Sequence, residues 1–162
     1  MLLGYKSYIL PILDYCSTVW APCTEVDVRL LESVQRNFTC KISGMNFLTY
    51  GERLKRLNII SFELRRLHAD LIFCYKILNG LSAGPPFVYG VVLSDRQSRG
   101  NGQELQFQHA RVNLRKNYFG CRICELWNSL PRKVVFATSV CAFKKMIFKC
   151  NTTKLLLTTY DS

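Results

Sequence analysis

Residues 49–80, TYGERLKRLNIISFELRRLHADLIFCYKILNG, decide the fold class. Two helix starts are written into them. Thr49 with Glu52 three residues later forms a capping box, and Ser61 is a second N-cap. From Ser61 to the Gly80 stop, Leu64, Leu67, Leu71, Cys74, Tyr75 and Leu78 recur at helical spacing on one narrow stripe. The spacing predicts one long helix with a strong core face. Phe62, Phe73 and Ile77 lie outside that stripe, so a second contact is expected there, from another helix or from a partner. Arg65 and Lys76 share a further side with Phe73, and Arg66 lies close by.

Toward the N-terminus, Thr24 and Asp27 repeat the capping pattern and open a helix to about Gly44, with Leu31, Val34, Phe38 and Ile42 as its core stripe. Arg29, Ser33, Arg36 and Cys40 fall on the opposite side, where two arginines two turns apart either follow a phosphate backbone or form a solvated face. Residues 2–20 read as a further helix, with Tyr5, Tyr8, Ile9, Ile12, Leu13 and Cys16 near one face and Pro11 kinking it. No N-cap precedes it, as expected if an upstream part is missing.

Toward the C-terminus, residues 81–102 are a loop or linker rich in Gly, Pro and Ser. Residues 104–108 and 111–115 each alternate polar and apolar, which predicts two short strands turning near His109 and Ala110. Two strands alone need a helix to pack on. Phe119, Ile123, Leu126 and Leu130 supply one, with Trp127 beside the stripe and Pro131 as its stop. A last helix begins at Ser139, with Val140, Phe143, Ile147 and Cys150 inward and Lys144, Lys145 and Lys149 outward. The chain is therefore expected to be mainly α. Residues 1–80 form a helical region, 81–102 a linker, 103–150 a small α+β region with a short two-stranded element, and 151–162 a frayed tail.

The 162 residues fit one domain or two small ones, and 49% hydrophobic content is enough for a core. Twenty-two Lys and Arg against eleven Asp and Glu leave a net charge of +11, which favours a polyanionic partner. Lys6, Pro11 and Asp14 interrupt the N-terminal apolar run, and no run is long enough to span a bilayer, so no membrane partner is expected. Eight irregularly spaced cysteines read as reduced thiols of an intracellular protein, in cytoplasm or nucleus.

Chemistry-bearing sets are sparse. There is no nucleophile–histidine–acid set, paired carboxylate or phosphate-cradling glycine loop, so no catalytic residue and no small-molecule substrate is expected. Cys121 and Cys124 form the only CxxC, but structural zinc needs four converging ligands, and His68 and His109 stand isolated. The pair falls opposite the apolar stripe of its helix and lacks the strand–loop–helix setting of a redox motif. No metal and no cofactor is expected. The functional candidates are basic: Arg53, Lys55, Arg56, Arg65, Arg66, Arg111, Arg115 and Lys116. They either contact phosphates or pair with Glu52, Glu63 and Asp70 along the helices.

Five segments occur in order: YKSYILPILDYCSTVWAP (5–22), LLESVQRN (30–37), GERLKRLNIISFELRRLHADLIFCYKILNG (51–80), ARVNLRKNYFGCRICELWNSLP (110–131) and SVCAFKKMI (139–147). Together they resemble the C-terminal part of reverse transcriptases from non-LTR, LINE-type retrotransposons of the Jockey and CR1 groups. The resemblance implies a helical, thumb-like bundle with a post-thumb extension, which binds RNA or an RNA–DNA duplex through its backbone. It also implies that the fingers and palm, with the metal-binding Asp-Asp turn, precede Met1 as a separate partner region. The five aspartates here, Asp14, Asp27, Asp70, Asp95 and Asp161, are scattered, so the resemblance is to a non-catalytic part. Asn37 and Phe38 stand where the family often has basic residues, and Asn101 where it often has His. Such departures suit the alternative of a decayed or repurposed copy, acting by protein contact or without function.

Overall fold

The computed structural model describes residues 1–22, 24–95, 101–109, 111–112, 115 and 117–150. They are mainly helical. The chain divides into two compact units, the first ending at Leu67 and the second beginning at His68, inside the long helix.

The first unit begins with helical turns α1 (Leu2–Gly4) and α2 (Leu10–Asp14), joined by a π-helical turn over Tyr5–Ile9. The Leu10 N–H reaches back to the Tyr5 carbonyl, and Pro11 follows at once. Pro11 has no N–H and its ring crowds the carbonyl four residues back, so a widened turn relieves it. That turn shifts the helical register by one residue. The inward face is consequently Tyr5 and Leu10, with Leu13 half-buried and Ser17 buried; of the predicted face Tyr5 and Leu13 turn inward, while Tyr8, Ile9, Ile12 and Cys16 are exposed. The helix ends at Tyr15, in extended backbone, and Cys16 takes a left-handed conformation at φ +51° before α3 (Ser17–Trp20).

Helix α4 (Glu25–Cys40) starts as expected, with Thr24 Oγ1 accepting the Asp27 N–H. Its buried face differs from the apolar count: Val28, Glu32, Gln35 and Thr39 are inside, Leu31 and Phe38 are half-buried, and Val34 is exposed. Helix α5 (Tyr50–Leu57) has the full Thr49–Glu52 capping box and ends on Asn58 at φ +49°. Helix α6 (Phe62–Leu78) is capped by Ser61, whose Oγ accepts the Leu64 N–H. Phe62 closes against Tyr5 and Leu10, which supplies one of the second contacts its position demanded.

The second unit takes α6 from His68 onward, where Leu71, Cys74, Tyr75 and Ile77 are buried. Phe73 packs edge-on to Tyr89 and Phe119, so this side too is filled by the chain itself. A 3-10 turn (Pro86–Tyr89) leads to Gly90 at φ +69°, and Val91 is buried beside it. Helices α7 (Phe119–Asn128), α8 (Arg132–Val135) and α9 (Val140–Lys149) complete the unit. Ser139 caps α9 through the Ala142 N–H, and Phe143 and Ile147 are fully buried while Lys144, Lys145 and Lys149 face out. Trp127 and Phe143 lie at the centre, their ring centroids 6.0 Å apart.

The predicted hairpin between 104–108 and 111–115 falls partly on residues outside the described ones, and among the described residues 104–106 pair elsewhere. Leu105 forms a single antiparallel bridge with Leu93, through Ser94 N–H to Glu104 O and Gln106 N–H to Val92 O. The other edge of Leu105 is satisfied by the Asn128 amide, which accepts its N–H at 2.8 Å and donates to its carbonyl at 3.0 Å. Residues 110, 113, 114, 116 and 151–162 of the sequence reading lie outside the described residues.

Candidate nucleic-acid interface

Helices α4 and α5 meet over a polar network rather than an apolar seam. The Tyr5 hydroxyl donates to Gln35 Oε1 at 3.1 Å, and Gln35 Nε2 donates to the Tyr50 hydroxyl and to the Ile60 carbonyl, each at 3.0 Å. Tyr50 donates in turn to a Glu32 carboxylate oxygen, and the second oxygen accepts the Phe62 N–H at 2.9 Å. The Tyr5, Gln35 and Tyr50 donors form a run that ends on Glu32, so the ionised carboxylate is its natural terminus. Burial nonetheless pushes the Glu32 carboxyl up, with the bonds from Tyr50 and Phe62 pulling it back in part. The Tyr5 hydroxyl is raised as well, by burial first and by Glu32 second. This network is the structural role of LLESVQRN, and its role was invisible to an apolar count.

The eight basic candidates are divided by this packing. Lys55 and Arg56 are exposed on α5. Arg53, one turn before Arg56, is buried against the Tyr50 ring. Arg65 pairs with Asp14 at 3.2 Å, and Arg66 is buried with its guanidinium 4.8 Å from the centre of the Trp20 ring. Burial raises the Asp14 carboxyl, and Arg65 offsets this incompletely. Arg65 and Arg66 therefore hold the 2–20 segment to α6, and their guanidiniums are committed within the fold. In the second unit Arg111 and Arg115 are exposed, while Lys116 lies outside the described residues. Asp70, considered above as a local helix partner, takes a bidentate pair from Arg122 at 2.9 and 3.1 Å.

Sequence reasoning singled out Arg36 only as one of two arginines on α4; the structure sets it over Tyr50, 4.8 Å from the ring centre. Arg29, its predicted companion, is occupied by Glu25 one turn back. Tyr50 itself was missed. Its partners Gln35 and Glu32 lie 15 and 18 residues back, beyond any local pattern.

Among the described residues, no three His, Cys, Asp or Glu side chains converge to hold a metal. Cys124 does not lie opposite the apolar stripe as expected. It is buried in the core, where its thiol is pushed up to about 11 by burial, with Sγ near the Leu105 carbonyl at 3.3 Å. A groove of about 510 Å³ in the second unit is lined by Asp95, Glu104, His109 and Asn128, acidic chemistry that does not suit a polyanion. Among the described residues, no helix is long and apolar enough to cross a membrane.

Compared with known proteins, the chain matches no family model, no curated protein and no solved structure.

Proposed function

We propose that this chain is a non-catalytic thumb and post-thumb part of a LINE-type reverse transcriptase that binds RNA or an RNA–DNA duplex through the phosphate backbone. The observation that carries the reading is the ordered set of five segments, two of which, 30–37 and 51–80, pack together around Glu32 and Gln35 in the first unit. A net charge of +11 and the exposed Lys55, Arg56, Arg111 and Arg115 supply sequence-independent contacts. Fingers and palm of such an enzyme are the protein partner this reading requires. The isolated chain is expected to extend no primer in magnesium, since it carries no Asp-Asp turn to hold two metal ions. Magnesium-dependent extension by the pure protein would overturn the assignment.

A second reading, protein contact by a decayed or repurposed copy, is favoured by one specific feature. Tyr8, Ile12, Tyr15 and Val19 are 73–81% exposed along the first helical segments. An apolar row of that kind commonly marks an interaction surface. The two readings separate on duplex binding by fluorescence anisotropy. Nucleic-acid contact predicts that Lys55→Ala/Arg56→Ala weakens all sequences alike and flattens the dependence of log affinity on log salt by about two. Binding and slope equal to the parent would remove these residues from the interface.

A further inference from the structure

We propose that Arg36, Tyr50 and Arg53 form a binding site for a phosphate group on the first unit. The site is built around a charge that the fold leaves uncompensated. Arg53 is 7% exposed, yet among the described residues its guanidinium meets no carboxylate. Its Nε is sealed from solvent without a hydrogen-bond partner. What faces it is the Tyr50 ring, whose centre lies 5.7 Å from Arg53 Cζ and 4.8 Å from Arg36 Cζ.

A ring face compensates a buried cation only in part, and two guanidiniums sharing one ring repel each other. The carboxylates close by in sequence are already engaged. Glu32, one turn before Arg36, accepts from the Tyr50 hydroxyl and the Phe62 N–H. Glu52, next to Arg53, accepts from the Thr49 N–H and hydroxyl in the capping box. Arg56 adds a third cation, one turn beyond Arg53 on the same side of α5, and it too has no ion pair among the described residues. Packing that needed only shape would have placed an apolar side chain at Arg53. An arginine kept there with its charge unanswered fits an anion bearing several acceptor oxygens, and phosphate matches the guanidinium fork.

A free phosphate and a backbone phosphate of a nucleic acid offer the same chemistry, and the site stands independently of the polymerase reading. The test is thermal unfolding of the full chain at fixed pH and ionic strength, with chloride exchanged for inorganic phosphate. A ligand bound by the native state alone raises the melting temperature saturably. The parent is expected to show that saturable rise. Arg53→Gln is expected to lose it, and Arg36→Gln to need about tenfold more phosphate, the order of one charge-assisted hydrogen bond. Arg36 is exposed, so its variant remains decisive if Arg53→Gln does not fold. No saturable rise in the parent, or an unchanged one in Arg36→Gln, would overturn the proposal. Repeating the titration with single-stranded RNA distinguishes the sources. RNA that raises the phosphate requirement shows a site for backbone phosphates. RNA without effect shows a site for free phosphate, and the nucleic-acid reading then fails at this contact while the site stands.

Discussion

Tyr50 shows how much one hydroxyl carries in this chain. It receives a hydrogen bond from Gln35 and gives one to Glu32, and its residue is 4% exposed. Tyr50→Phe keeps the ring under Arg36 and Arg53 but leaves a buried amide donor and a carboxylate oxygen without that partner. Two such groups are expected to cost about 2–4 kcal/mol, read as a fall in the urea midpoint at unchanged m-value. A loss under half a kcal/mol, read the same way, would mean that water replaces the hydroxyl. His68 gives a second prediction at this scale. It is buried edge-on to Phe148 at 4.7 Å, and burial pushes its imidazole down to about 4. The unfolded chain then binds the proton more readily than the folded one. Stability contributed by neutral His68 is intact above the unfolded pKa of about 6.5 and is lost as pH falls toward the folded value. At pH 5 the loss is about 2 kcal/mol relative to pH 7.5. His68→Leu is expected to flatten that part of the pH profile whatever it does to stability at pH 7.5; an unchanged profile would assign the acid sensitivity to other groups. None of these partnerships was legible in sequence. The links from Gln35 to Tyr5, Tyr50 and Ile60 join residues 30, 15 and 25 positions apart, and no local pattern pairs polar groups at such distances.

Single elements were legible where their signals are local. The Thr24, Thr49, Ser61 and Ser139 caps all engage the backbone N–H three residues on, because a cap is written within one turn of sequence. The core stripe of α6 held for Leu67, Leu71, Cys74 and Tyr75 for the same reason. The inward face of the first helix departs from the expected one where a π-helical turn breaks the period, and that of α4 departs because it is mostly polar. The 104–108 segment does read as extended, but its partners, residues 92–94 and the Asn128 amide, come from a loop and from a helix end. Asn101 is buried and donates to the Trp127 carbonyl at 2.9 Å, so this polar side chain is satisfied within the fold. A prediction at this scale concerns Gly120. A Cβ there would stand 2.2 Å from the Gly90 carbonyl oxygen, so α7 and the turn after Tyr89 approach backbone to backbone. Gly120→Ala removes a helix-unfavourable glycine, which alone would stabilise by about 1 kcal/mol. The clash is with backbone and must displace the turn, so a net loss of about 2 kcal/mol or more is expected in denaturant melts. A variant as stable as the parent would show that the turn yields freely.

For the whole molecule, the total charge is legible in sequence and its distribution follows from the packing. Arg53, Arg65 and Arg66, named as candidates beside Lys55 and Arg56, are taken inward by the fold onto Tyr50, Asp14 and Trp20. Their destinations lie outside the local sequence or, for Tyr50, depend on how α5 packs. The exposed candidates are Lys55 and Arg56 in the first unit and Arg111 and Arg115 in the second, with Arg36 beside Tyr50. This leaves the proposed activity resting on a small number of phosphate contacts. The most direct test is the affinity of the purified chain for a labelled RNA–DNA duplex, measured by anisotropy across a series of salt concentrations. About four contacts predict weak binding at low salt, little dependence on sequence, and a log–log slope near −4. No binding at low salt, or binding whose affinity is indifferent to salt, would contradict the account.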